Sequence, residues 1–106
     1  MTHKEREKII KQLLSEAEKL RIQKGYDYSG IDDANSNFKN AGKRLGLHPE
    51  QVLFVYLDKH LEAIHTFIKD GKVKSEPIGS RIKDAVNYLL IFASLLKEST
   101  LQGRRK

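Results

Sequence analysis

No cysteine occurs among the 106 residues, so the chain has neither a disulfide framework nor a thiolate metal site, a composition that suits a reducing cytoplasm. Long apolar runs are missing as well. Tyr88 to Ala93, as long as any in the chain, is far short of a membrane span, and the opening Met1-Thr2-His3-Lys4-Glu5-Arg6-Glu7-Lys8 puts charge where a signal peptide needs an apolar core. The expectation is a cytoplasmic protein, neither secreted nor inserted in a membrane. No stretch alternates apolar and polar residues as a half-buried strand would, and neither an internal repeat nor a low-complexity segment is present. A Gly-rich phosphate loop, a dinucleotide fingerprint and a legible Ser-His-Asp arrangement are also lacking, so nucleophilic catalysis finds no support.

What remains is short, basic and helical in pattern. A chain of this length holds one domain, expected over residues 1–98, followed by a flexible basic tail over 99–106 that ends in Gly-Arg-Arg-Lys. Lys and Arg outnumber Asp and Glu by 20 to 14. The excess lies in Lys4 to Lys24, Lys39 to Arg44, Lys69 to Lys74 and the tail, a surface that favours nucleotides, nucleic acid or acidic proteins.

Four helices are expected. In the first, Ile9, Ile10, Leu13, Leu14, Ala17 and Leu20 recur at three- and four-residue spacing, and the helix should end before Gly25. The aperiodic stretch Gly25 to Asp33, with Tyr26 and Tyr28, reads as an ordered loop. A short helix from Ala34 to Leu45 is stopped by Gly46 and presents Phe38, Ala41 and Leu45. Pro49 and Glu50 open the third, which runs to Asp70 ahead of Gly71 with Leu53, Leu57, Leu61 (or His60), Ile64 and Phe67 or Ile68 inward. After a linker at Lys72 to Ser75, Glu76-Pro77 opens the fourth, ending near Leu96 or Glu98. The fold class is thus all-α, a compact arrangement of three long helices and one short.

The fourth helix holds the most informative pattern. Glu76, Ser80, Asp84 and Asn87 are spaced by four, four and three, a polar stripe in the most apolar helix of the chain. A carboxylate buried there needs a cation, a metal or a hydrogen-bond donor. One alternative is structural: Asp84 pairs with a Lys or Arg of a neighbouring helix and Asn87 serves backbone groups. The other is a site. Antiparallel packing of the third and fourth helices would bring Asp58 and Glu62 towards Glu76 and Asp84, a set of four acids able to take Mg²⁺. His60 and His65, five apart, are poorly spaced for joint zinc ligation. Lys24, Lys43, Arg44, Lys59 and Arg81 are the candidate phosphate contacts, and Tyr26 and Tyr28 the candidates for stacking on a base.

Gly25-Tyr26-Asp27-Tyr28, Asn37-Phe38, Asp58-Lys59-His60 and Glu76 through Asp84 to Asn87-Tyr88 resemble small phage and bacterial proteins of the nucleotide-modification-associated, MazG-like helical type. The resemblance covers Lys24 to Glu98. It assigns Asp27 and Tyr28 to a loop motif, Asp58 and Lys59 to a helical pair, and Glu76, Asp84, Asn87 and Tyr88 to the last helix. Ser29 stands where the family usually has Gly, and Ser80 where it often has an acid. The two acidic pairs with which MazG-type pyrophosphatases hold Mg²⁺ are not matched.

The resemblance and the thinned acidic row together imply a non-catalytic nucleotide-binding protein without a cofactor. It would be phage-encoded, act in the host cytoplasm and sequester a cyclic or other phosphorylated nucleotide signal as an anti-defence sponge. Homo-oligomerisation, as a dimer or larger assembly, is expected because a single small subunit can hardly enclose the stripe. The alternatives are a Mg²⁺-dependent nucleoside triphosphate pyrophosphatase using Asp58, Glu62, Glu76 and Asp84, and a basic nucleic-acid-binding module. Glu5, Glu7, Glu16 and Glu18, interleaved with the bases of the first helix, disfavour the last.

Overall fold

A computed structural model describes residues 1–30, 33–72 and 76–101, with the side chains of Thr100 and Leu101 left out. Ile31 and Asp32 of the expected loop, the last three residues of the expected linker, 73–75, and the last five residues of the expected tail lie outside it. Among the described residues the chain is all-helical: α1 (His3–Ser29), α2 (Ser36–Leu45), α3 (Pro49–Asp70) and α4 (Ile78–Leu101), of 27, 10, 22 and 24 residues. No described helix is long and apolar enough to cross a membrane.

α1 begins in a capping box, with the Glu5 amide donating to Thr2 Oγ1 at 3.1 Å and the Thr2 amide to Glu5 Oε2 at 2.8 Å. It does not end before Gly25 as expected. Gly25, Tyr26, Asp27, Tyr28 and Ser29 are all helical, and the chain leaves α1 only at Gly30, where φ reaches +71°. A single glycine costs a helix about 1 kcal/mol relative to alanine, which weakens it without breaking it. A positive φ is what a helix of L-residues does not tolerate, and that demand arises at Gly30.

Asp33 Oδ1 accepts from the Asn35 amide at 2.9 Å and so shapes the turn into α2, which starts two residues later than expected. α3 has the expected ends. His48 and Gln51 form its capping box, Pro49 stands in the first turn, and Gly71 closes it with φ +77°. α4 runs past the expected end at Glu98: Ser99 is buried, its Oγ donating to Glu50 Oε1 at 3.4 Å.

The core joins α2, α3 and α4. Phe38, Ala41, Val52, Leu53 and Leu95 are buried, with Tyr88, Ile91 and Phe92 packed against them. Each fully buried leucine stabilises the fold by about 1.5–3 kcal/mol. On α3, His60 takes the buried position beside Leu57, and Leu61 and Ile68 face out. α1 lies on α4 and buries only Ala17, while Ile9, Ile10 and Leu14 of its expected apolar face stay exposed.

A candidate ligand-binding cleft

Two rungs tie α1 to α4. Arg21 and Lys24 are one turn apart on α1, Asp84 and Asn87 one turn apart on α4, so the two pairs meet at matching spacing. Lys24 Nζ donates to Asp84 Oδ1 at 3.2 Å, and Arg21 Nη1 donates to Asn87 Oδ1 at 3.1 Å. Asn87 Nδ2 in turn donates to the Ala17 carbonyl at 2.9 Å. Arginine only donates, so the amide oxygen must face Arg21 and the amide nitrogen Ala17. Both α4 residues are buried, and both are satisfied by the structural alternative read from the sequence: a cation from a neighbouring helix for Asp84, a backbone group for Asn87.

These rungs form one wall of a cleft of about 610 Å³ between the C-terminal half of α1, the start of α2 and the middle of α4. Such a volume lies within the range of small-molecule sites. Of the residues named from the sequence, Lys24, Tyr26, Tyr28, Asp84, Asn87 and Tyr88 line it. Asp27, Lys43, Arg44 and Lys59 are exposed and line no part of it, and Ser80 is half-buried outside it. Tyr26 and Tyr28 are 61% and 67% exposed and form the rim. Arg21, Asn37 and Phe38 also line the cleft. In the sequence, Asn37-Phe38 stands out only through the resemblance. Arg21 was missed altogether, although its spacing of three from Lys24, repeated between Asp84 and Asn87, is a signal that could have found it.

The inner end of the cleft is held by clamps. Ser29 Oγ donates to Asn37 Oδ1 at 2.8 Å, and Ser36 Oγ to the Ser29 carbonyl at 3.2 Å, fixing the end of α1 on α2. Lys39 bridges Asp33, at 2.8 Å, and Glu98. Both carboxyl groups are held below their ordinary range, chiefly by the hydrogen bond from Lys39, and the Lys39 ammonium is raised by the same bonds. Tyr88 stands edge-on to Phe38 with ring centroids 6.4 Å apart and stacks on Tyr56 at 6.2 Å and on His60 at 5.5 Å. Burial, reinforced by the charge of Asp84, raises the Tyr88 phenol, so it stays neutral.

Behind the Lys24–Asp84 rung lies a second group. His60, Glu76 and Asp84 each bring a ligand atom within 4.8 Å of the others. His60 Nε2 is 3.8 Å from Asp84 Oδ2, Arg81 Nη1 is 3.2 Å from His60 Nδ1, and Arg81 Nε is 2.9 Å from Glu76 Oε1. The guanidinium can only donate, so Nδ1 carries the lone pair and the neutral ring has its proton on Nε2, facing Asp84. Burial lowers the His60 pKa from its ordinary 6.5, against the opposing pull of Asp84. Of the four acids expected to converge, Glu76 and Asp84 do. Asp58 and Glu62 are exposed, and His60 occupies the place they were expected to take. As arranged, the group does not fit Mg²⁺: Asp84 is paired with Lys24, Glu76 with Arg81, and the imidazole atom facing Asp84 bears a proton.

Comparison of the chain with protein-family models, curated proteins and solved structures gives no match.

Proposed function

We propose that the chain is a non-catalytic nucleotide-binding protein whose ligand sits in the cleft between α1, α2 and α4. The observation that carries this reading is the cleft's division of labour: two cations of α1 on one wall, and the rings of Tyr26, Tyr28, Phe38 and Tyr88 around them. A planar base offers a face for stacking to any of these rings, and its phosphate a partner for the cations. The pairing of Asp84 with Lys24 and of Glu76 with Arg81 supports capture over turnover, because neither carboxylate is available to a metal without breaking an ion pair. Encoded by a phage, such a protein would act as a sponge, holding a cyclic or otherwise phosphorylated nucleotide signal away from its receptor.

Calorimetry against cyclic mononucleotides, cyclic dinucleotides and nucleoside triphosphates, with chromatography of the recovered ligand, tests the reading. Heat of binding with the ligand recovered intact is expected. Absence of heat for the whole panel would refute it. Assembly of like chains belongs to the same proposal and is supported by Ile9, Ile10 and Leu14 left uncovered on α1 and by Phe54 and Val55 on α3. Sedimentation should then give a mass above 12.2 kDa. A second reading, a Mg²⁺-dependent pyrophosphatase at His60, Glu76 and Asp84, requires the Lys24–Asp84 and Arg81–Glu76 pairs to open for the metal, and phosphate or pyrophosphate release that disappears in Asp84→Asn.

A further inference from the structure

Among the described residues, the only charged side chains lining the cleft are Arg21, Lys24 and Asp84, a net of one positive charge. The two cations are not equivalent. Lys24 is committed to Asp84 at 3.2 Å, so an anion approaching the ammonium also approaches a carboxylate. Arg21 spends one N–H on a neutral acceptor, Asn87 Oδ1, and keeps the rest of its donor fork. That fork suits the paired oxygens of a phosphate group. Asn87 is itself anchored on the Ala17 carbonyl and buried to 6% exposure, so it holds the guanidinium without meeting the ligand's charge.

Resting on the nucleotide reading, we infer that Arg21 is the phosphate-binding residue of the cleft, that Asn87 is its positioning residue, and that Asp84 limits the ligand to a singly charged phosphodiester. A phosphodiester carries one charge and matches the net charge of the wall. A terminal phosphate carries about 1.5 to 2 near neutral pH, and a triphosphate more. The surplus would lie against Asp84, where a like charge is disfavoured. The ligand class is therefore a cyclic or internucleotide phosphodiester, selected over nucleotides with terminal phosphates by the charge that already occupies the cleft.

Titration calorimetry with adenosine 3′,5′-cyclic monophosphate, AMP and ATP tests this on wild type, Arg21→Gln, Asn87→Ala and Asp84→Asn, with circular dichroism confirming that each variant folds. Wild type should bind the cyclic diester tightest and ATP weakest. Arg21→Gln should lose at least about tenfold for every ligand, the worth of a charge-assisted hydrogen bond. Asn87→Ala should weaken all three in parallel without changing their order, as a positioning residue would. Asp84→Asn, nearly the same shape, should narrow the gap by raising ATP affinity about tenfold more than that of the cyclic diester. If wild type binds ATP as tightly as the diester, or Arg21→Gln binds like wild type, the inference is overturned while the nucleotide reading stands. If wild type binds none of the three, nor any ligand of the wider panel, the nucleotide reading itself has failed.

Discussion

Acidification from about pH 7.5 to about 5.5 should destabilise this fold through one buried ring, that of His60. The ring is 4% exposed, stacked on Tyr88 and fixed by Arg81 at Nδ1. Burial lowers its pKa below 6.5, and Lys59 and Arg81 act in the same direction, while Asp84 and Glu76 oppose them. In the unfolded chain the imidazole titrates near its ordinary value. Between the unfolded and folded pKa values the unfolded state therefore binds more protons, and stability must fall as the pH falls. The contribution of the neutral ring is fully present above about pH 6.5 and is lost as pH drops through the folded pKa, with a slope of at most about 1.4 kcal/mol per pH unit for one proton. Urea denaturation of wild type and His60→Gln at several pH values across this range measures it. The glutamine variant will be less stable throughout, because it gives up the ring stack. The diagnostic is the slope, which should flatten by up to about 1.4 kcal/mol per unit in the variant, with the dependence on urea unchanged. Parallel lines for the two proteins would refute a neutral buried His60.

Two further expectations concern the frame around the cleft. A Cβ added at Gly42 would lie 2.6 Å from the Leu47 carbonyl, whose residue also donates its amide to the Gly42 carbonyl at 2.9 Å, so the turn between α2 and α3 must shift. Gly42→Ala should cost about 1–3 kcal/mol from overpacking, partly offset by alanine's better helix propensity, and lower Tm by several degrees; a variant melting at or above wild type would show that the turn gives way freely. Lys39→Met leaves Asp33 and Glu98 without their shared cation, on side chains that are 44% and 31% exposed and therefore screened by solvent. The loss should be about 1 kcal/mol at low salt and smaller in about 1 M NaCl, and a loss indifferent to salt would mean that the lysine acts through packing instead.

Local signals in the sequence determined much of the helical frame. Pro49 with Glu50 opens α3 and Gly71 ends it, as expected, because a cap acts within one turn of the residues that carry it. The polar pair Asp84 and Asn87 was legible as significant from its apolar surroundings alone, since a buried carboxylate has to find a partner wherever it lies. Which partner it finds was not legible. The rotation and crossing of α1 over α4 placed Arg21 and Lys24 there, and the rotation of α3 turned His60, not Asp58 or Glu62, towards Asp84. Gly25 shows the same limit from the other side: as a local signal it marks a stop, yet α1 passes through it to a packed end where Ser29 bonds Asn37. Periodicity and capping are properties of a segment and its near neighbours. The charge balance of the cleft is a property of three helices at once, and only their packing decided it.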